Sequence, residues 1–191
     1  MTVGYDAFDD PYAYKGTTIL KNKLGLRDTA RLEAFELEMT TLRAGEPLPL
    51  GKFNADHYCR VHHHLFQDVY SWAGRYRTVR TAKSGNPFCY PEYIDSEMIK
   101  LFATLPTILS ADSSEDFITE TTRFLGELNA IHPFREGNGR SQLAFVAVLG
   151  ESAGFVLDFA RVRRDSFMPA MIESYVGNLA PLSAELRYLL R

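Results

Sequence analysis

The sequence predicts an all-α fold that carries one short β-hairpin. Apolar residues recur at helical spacing through most of the chain, as they do between Phe117 and Ile131. Residues that favour helix N-termini, such as Asp28 and Ser113, precede several of these segments. Only residues 77–81 alternate in a β-prone pattern. A few strand residues among many helical ones are typical of a helical domain with a small β element.

The positions of the individual helices are predicted from residues that cap helices and from prolines and glycines that interrupt them. Residues 1–28 are expected to be irregular, because prolines and glycines interrupt them. Asp28 then caps a helix that begins near Thr29, and Asn54 or Asp56 caps the next one. Further helices are predicted over residues 93–109, 115–131, 138 onward, 161–177 and 181–190.

The hairpin is predicted within residues 76–92. Residues 77–81 form its first strand, Ser84-Gly85-Asn86 is a turn signal, and residues 88–90 return. Two strands of this length are not stable alone, so the hairpin is expected to pack against helices.

Composition excludes several classes of protein. The net charge of -3 argues against a domain whose main partner is nucleic acid. Two cysteines are too few for a disulfide framework, and no apolar run reaches the length that spans a bilayer.

The chain has no signal peptide at its start, which predicts a bacterial cytoplasmic protein or one secreted into a host cell by another route. Its 191 residues predict one domain, residues 1–191.

The stretch HPFREGNGRSQL, residues 132–143, concentrates the chemistry of the chain. A residue before proline is disfavoured in the α region, so a helix is expected to end at His132 and present its imidazole there. A histidine has a reference pKa of about 6.5 and can accept a proton from a hydroxyl at neutral pH. His132 is therefore a candidate general base.

An anion site is expected directly after this histidine. Gly137 and Gly139 permit close approach of a ligand, and the amides of residues 137–139 can form a nest at the start of the next helix. Arg140 adds a charged contact to phosphate. Glu136 carries a negative charge that would repel a bound anion. Mg²⁺ on a polyphosphate would remove this repulsion, because the cation would lie between the carboxylate and the phosphates. These parts suit phosphoryl or nucleotidyl transfer, although a plain polar corner between two helices is the alternative.

The stretch resembles the signature of the Fic (filamentation induced by cAMP) family, H-x-F-x-[D/E]-G-N-G-R-x-x-R. Seven positions match: His132, Phe134, Glu136, Gly137, Asn138, Gly139 and Arg140. Residues 14–26 (YKGTTILKNKLGL) and 63–74 (HHLFQDVYSWAG) also resemble segments of that family. The resemblance implies a Fic-type helical domain with residues 76–92 as its flap and residues 132–140 as its catalytic loop.

The resemblance to the Fic family also implies an activity, the transfer of AMP from ATP to a hydroxyl of a target protein. His132 would deprotonate the target's Tyr, Ser or Thr, and Glu136 would hold Mg²⁺. Gly137, Asn138 and Gly139 would bind the α-phosphate, and Arg140 the β-phosphate.

Further residues follow from the same resemblance. The flap would align the target by strand addition, with Lys83 and Ser84 beside the nucleotide. Phe167 and Tyr175 lie where the family places adenosine contacts. Phe134 would anchor the loop in the core.

The sequence departs from the signature at its last position, where Leu143 replaces the arginine that contacts the γ-phosphate in the family. The lost charged hydrogen bond predicts ATP binding weaker by about 10- to 150-fold unless another residue compensates. Four arginines are candidates to replace it: Arg135, Arg161, Arg163 and Arg164.

Regulation is predicted to come from a partner. The family's inhibitory motif, [S/T]-x-x-x-E-[G/N], is matched by Thr29 to Glu33 in five positions, but Ala34 stands in the sixth. The resemblance therefore implies the toxin-like class, inhibited by a small antitoxin protein that supplies a helix. Candidate targets in that family are topoisomerase subunits and GTPases.

Two other functions remain open. The same site would support kinase-like or other nucleotidyl transfer, although the complete Gly137-Asn138-Gly139 sequence favours AMP. Alternatively, the chain is a catalytically weak module that binds a partner protein through its flap.

Overall fold

The computed structural model describes residues 10–83 and 85–191, and within them the chain is mainly helical. The helices are α1 (Thr29–Ala44), α2 (Ala55–Phe66), α3 (Pro91–Phe102), α4 (Leu105–Leu109), α5 (Ser114–Ile131), α6 (Asn138–Ser152), α7 (Arg164–Tyr175) and α8 (Ala180–Leu189). The strands are β1 (Ala82–Lys83) and β2 (Asn86–Pro87), and a short 3₁₀ helix spans Phe159–Arg161.

Helix α5 is the centre of the fold. It packs against α3, α4, α6, α7 and α8, while α1 packs on α2 and α2 on α6. Its buried side chains join a core rich in aromatic rings, in which Phe124, Phe102 and Phe145 contact one another. The all-α prediction is confirmed.

The predicted caps are found at three helix starts. The Asp28 carboxylate accepts a hydrogen bond from the Arg31 amide, and the Ser113 hydroxyl accepts one from the Asp116 amide. Of the two candidates for α2, Asn54 is the cap and accepts from the His57 amide. Each cap satisfies one of the amides that a helix start leaves without an intrahelical partner.

The segment predicted as helical over residues 93–109 is divided into two helices, α3 and α4. Pro106 explains the break. Its ring would collide with the carbonyl of Phe102, four residues earlier, and it has no amide hydrogen to donate. Helix α3 ends at Phe102, and Pro106 is accommodated in the first turn of α4. The segment predicted as a helix from residue 161 begins its α-helix only at Arg164, after the 3₁₀ turn.

The hairpin exists but is shorter than predicted. Residues 82 and 83 pair with 87 and 86, whereas residues 77–81 are not a strand. The Phe88 amide still donates to Thr81 O, but the Arg77 amide donates to Pro133 O and the Cys89 amide to Ala130 O. The loop and the end of α5 thus take the hydrogen bonds that a longer hairpin would need.

The N-terminal segment is irregular over residues 10–28, with an isolated bridge between Ala13 and Leu20. Residues 1–9 lie outside the described part of the chain. Among the described helices, none combines the length and apolar character needed to cross a membrane. The prediction of one domain over residues 1–191 stays a prediction.

Candidate active site

The site is built on the loop that joins α5 to α6. Helix α5 ends at Ile131 with His132 as its C-cap, as the following Pro133 predicts, and His132 adopts a left-handed conformation with φ 49° and ψ 61°. A left-handed residue is a common way to end a helix, but it is unusual for a side chain with a Cβ. The neighbouring structure must therefore hold this backbone in place.

A buried arginine holds it. The Arg77 guanidinium donates to the carbonyls of His132 (2.9 Å) and Ile131 (3.1 Å) at the end of α5. It also donates to the carbonyls of Val79 (2.8 Å) and Cys89 (2.5 Å), at the two ends of the hairpin segment. A positive charge at a helix C-terminus is stabilised by the carbonyls that the helix leaves unpaired. Arg77 thus connects the flap to the backbone of His132.

The His132 side chain is buried between the flap and the helix end. Its imidazole stacks on Phe88 with a centroid distance of 3.9 Å and an interplanar angle of 8°. Its Nδ1 lies 3.3 Å from Asn129 O, so Nδ1 carries the proton in that contact and Nε2 keeps a lone pair. Burial, together with the charges of Arg77 and Lys83, lowers the pKa of His132 to about 3. The imidazole is therefore neutral at pH 7 and able to accept a proton.

Helix α6 begins with amides that face a ligand site. Gly137 is the N-cap with φ 84°, and the first three helical residues, 138–140, have amides with no intrahelical partner. A Cβ added at Gly137 would lie 2.3 Å from the Phe66 ring, whereas one added at Gly139 would meet no heavy atom within 4 Å. Gly137 is thus required by packing, and Gly139 leaves open space in front of the helix start.

Two polar side chains, Asn138 and His62, hold the loop in place by hydrogen bonds to its backbone. Asn138 accepts from the Phe134 amide (2.9 Å) and donates to the Phe134 carbonyl (2.8 Å). His62 accepts from the Gly74 amide at Nδ1 (2.8 Å), so its Nε2 donates to Glu136 O (2.9 Å). The expected packing of Phe134 is present, because its buried ring stacks on His62 at 3.7 Å. These hydrogen bonds hold the loop through its backbone, and the partly buried Glu136 side chain lines the cavity.

Glu136 and Arg140 form the charged rim of the site. The Glu136 carboxylate accepts from the Gly137 amide (2.9 Å) and lies 3.8 Å from Arg140 Nη2. Burial and the charge of Glu36 raise the pKa of Glu136. The Arg140 guanidinium is ion-paired with Glu36 of α1 and donates to Thr40 Oγ1 at 3.2 Å. A group of three or more side chains able to hold a metal ion is absent from the described residues.

A cavity of about 540 Å³ collects these groups. Nine of the ten predicted site residues line it: Lys83, His132, Glu136, Gly137, Asn138, Gly139, Arg140, Phe167 and Tyr175. The tenth, Ser84, lies outside the described residues. Phe167 and Tyr175 project from α7, and the Tyr175 hydroxyl donates to the Pro87 carbonyl of the flap. The arrangement offers a neutral base, an anion site and an apolar wall in one space.

Comparison with known proteins identifies the family. Residues 52–149 match the Fic/DOC family. The chain belongs to this family. A relative from Sinorhizobium fredii, named probable protein adenylyltransferase y4lH, is 47% identical, and the match covers 98% of this chain and 100% of the relative.

Solved Fic structures have the same fold. BepC, a translocated effector protein of Bartonella tribocorum with bound AMPPNP, superposes with a TM-score of 0.84 at 30% identity, over 94% of this chain and 96% of that chain. The Fic domain of a Bartonella quintana effector with bound ADP gives a TM-score of 0.85 at 30% identity, over 94% of each chain. The predicted Fic-type fold is confirmed.

Three of the four arginines proposed to replace the missing Fic arginine do not line the cavity. Arg135 is buried in an ion pair with Asp10, at 2.6 Å. Arg161 and Arg163 lie over the Tyr188 ring. Only Arg164 shares the cavity with Leu143.

The partial inhibitory motif of α1 also has a clear position. Glu33, its fifth residue, is exposed, whereas Glu36, one turn later, pairs with Arg140 in the Fic loop. Sequence motifs do not reveal the roles of Glu36, Arg77 and His62, because each side chain contacts a residue far away in the chain.

The two glycines of the Fic loop provide a first prediction. Gly137→Ala places a Cβ against Phe66 in a left-handed backbone, and we expect it to destabilise the fold by at least about 1–2 kcal/mol. Gly139→Ala should leave stability equal or raise it by up to about 1 kcal/mol, since it improves helix propensity. Its methyl group would occupy the phosphate site, and we expect AMP transfer to fall about 100-fold. Thermal unfolding and transfer assays of both variants check this, and full activity of a folded Gly139→Ala would contradict it.

Buried histidines predict a pH dependence of stability. Burial lowers the pKa of His132 and of His62 to about 3 in the folded Fic domain. Between about pH 6.5 and pH 3 the unfolded chain binds protons that the folded one does not, so the free energy of unfolding falls as pH falls. Each histidine contributes about 1.4 kcal/mol per pH unit to that slope. We expect urea unfolding of His132→Asn to show a shallower slope between pH 4 and 6 than the wild type; equal slopes would contradict the assignment.

Proposed function

We propose that this chain is a protein adenylyltransferase that transfers AMP from ATP to a hydroxyl side chain of a target protein. The observation that carries the proposal is the cavity shared by His132 and the free amides at the start of α6. A neutral base and an anion site in one cavity are what in-line attack on a phosphorus atom requires. The name of the Sinorhizobium relative supports the same activity.

The proposed reaction uses His132 as the base. Its Nε2 takes the proton of the target hydroxyl, and the hydroxyl oxygen attacks the α-phosphorus of ATP. The bond from the α-phosphorus to the bridging oxygen breaks, and pyrophosphate leaves with that electron pair. The amides of residues 138–140 donate to the α-phosphate oxygens, on which charge increases in the transition state.

Glu136 is the proposed magnesium ligand. It is a single carboxylate beside the anion site, and Mg²⁺ usually binds one or two carboxylates together with substrate phosphates and waters. Burial raises the pKa of Glu136 in the protein alone, and a bound cation would favour its ionised form. The ion would neutralise charge on the phosphates of bound ATP.

The apolar wall of α7 is the proposed adenosine site. Phe167, Met171 and Tyr175 line the cavity next to Phe88 of the flap segment. Such a wall suits a purine ring, which binds largely through its faces. Two solved relatives hold AMPPNP or ADP, in keeping with ATP as the co-substrate.

The flap is the proposed docking site for the target. β1 and β2 pair only with each other among the described residues, so each has an edge free for an added strand. Lys83, on β1, lines the cavity near His132 and would lie close to the incoming hydroxyl. The proposed partner is thus a protein segment that bears an accessible Tyr, Ser or Thr, in a topoisomerase subunit or a GTPase.

Control by a small antitoxin protein stays a prediction, founded on the incomplete inhibitory motif at residues 29–34. Affinity purification of the chain from its native host tests it. A small co-purified protein that suppresses activity is the expected result, and active protein recovered alone would contradict the prediction.

The activity itself is tested with ATP labelled on the α- or the γ-phosphate, Mg²⁺ and cell lysate as the source of targets. We expect protein-bound label from the α-phosphate only, and its loss in His132→Ala or when EDTA removes the metal. Label from the γ-phosphate alone would mean kinase-like chemistry. No label from either, with a lysate protein retained on the immobilised chain, would favour the binding module.

A further inference from the structure

The phosphate end of the cavity has an unusual distribution of charge. Leu143 lines it at the position where the family signature has an arginine, five residues after the start of α6 and about 7.5 Å along its axis. Arg140, one turn earlier, is already paired with Glu36 and lies 4.7 Å over the Phe66 ring. A triphosphate that extended past Arg140 would therefore meet no positively charged side chain on the α6 side of the cavity.

The α7 side of the cavity supplies a positively charged side chain. Arg164 is the first residue of α7 and lines the same cavity. Its side chain is exposed, and it has no hydrogen bond or ion pair with any residue in the described part of the chain. By contrast, the Nη2 atom of the neighbouring Arg163 lies 3.7 Å from Glu185 Oε1, and the Arg161 guanidinium lies over the Tyr188 ring. Of these three arginines, Arg164 alone faces the cavity with its charge uncompensated.

Helix α7 also orients Arg164 away from the flap. Tyr175, at the other end of α7, contacts Pro87 and Phe88 of the flap segment. Twelve residues of α-helix span about 16–18 Å, so Arg164 lies at the end of the cavity remote from the flap. The apolar residues of α7 occupy the stretch between them, where the proposed adenosine would bind.

We propose that Arg164 binds the terminal phosphate of ATP and replaces, from α7, the arginine that Leu143 leaves missing on α6. The inference rests on the proposed function and refines its substrate recognition. An arginine presents a planar fork of donors that fits phosphate oxygens, and its exposed position lets it reach across the cavity. The contact would be to the leaving pyrophosphate, so it would distinguish a triphosphate from AMP.

Nucleotide affinity tests this contact without relying on turnover. Calorimetric titrations with Mg²⁺ and either ATP or AMP are made in the His132→Ala background, so that ATP is not consumed. We expect Arg164→Gln to weaken ATP binding about 10-fold and AMP binding less than about twofold. The matched control is Arg161→Gln, an exposed arginine of the same segment that does not line the cavity, and it should change neither affinity.

A rescue variant completes the test. Leu143→Arg added to Arg164→Gln should recover most of the lost ATP affinity, because it restores a cation at the same end of the cavity. Unchanged ATP affinity in Arg164→Gln would overturn the inference, and so would an equal loss for ATP and AMP, which would place Arg164 on the nucleoside. If the parent His132→Ala protein bound no ATP, the proposed function itself would fall, a result distinct from either of these.

Discussion

His132→Ala should reduce AMP transfer by about 100- to 10,000-fold while the protein stays folded and still binds ATP. The reason is that the imidazole is the proposed base: its Nδ1 faces Asn129 O, so Nε2 keeps the lone pair that takes the hydroxyl proton. Removal of the ring also removes the stack on Phe88, so a modest loss of stability is expected as well. Initial rates with ATP labelled on the α-phosphate, compared with calorimetric ATP affinity, separate catalysis from binding.

The matched control for this variant is His63→Ala, which removes an exposed histidine of α2 that does not line the cavity. It should retain the wild-type rate. A His132→Ala protein that bound ATP and transferred AMP at a rate within a few-fold of wild type would contradict the role of His132.

Arg77→Ala should destabilise the fold by about 3–5 kcal/mol and abolish activity at temperatures where the variant is partly unfolded. The change leaves four carbonyls without their shared donor, including those of His132 and Ile131 at the end of α5. Arg77→Lys should also lose much of this stability, because one ammonium group cannot reach four carbonyls at once. Urea unfolding at pH 7 measures the loss.

The control here is Arg75→Ala. Arg75 is exposed two residues earlier, and its removal should change the free energy of unfolding by less than about 0.5 kcal/mol. Equal stability of Arg77→Ala and Arg75→Ala would show that Arg77 does not support the catalytic loop.

The sequence predicted those features of the site that depend on neighbouring residues. Pro133 predicted the end of α5 at His132, and Gly137 and Gly139 predicted a start of the next helix that permits close approach of a ligand. Asp28 and Ser113 were recognisable as caps because their partners lie three residues away. Phe167 and Tyr175, which line the cavity from α7, were proposed as adenosine contacts only through the family resemblance.

Features that depend on distant pairs were not predictable. Arg77 acts on His132 across 55 residues, Glu36 on Arg140 across 104, and Asp10 on Arg135 across 125. No periodicity or motif links such positions, because the tertiary fold alone brings them together. The short hairpin has the same explanation, since Arg77 and Cys89 donate their amides to the α5 end and its loop rather than to each other.

The most direct test of the account is mass spectrometry of a protein labelled by this enzyme from α-labelled ATP. We predict one adenylate joined through a phosphodiester to the hydroxyl of a tyrosine, serine or threonine, and no modified peptide when His132→Ala replaces the wild type. A phosphate without the nucleoside, or an adenylate on an amine side chain, would contradict hydroxyl-directed AMP transfer from this site.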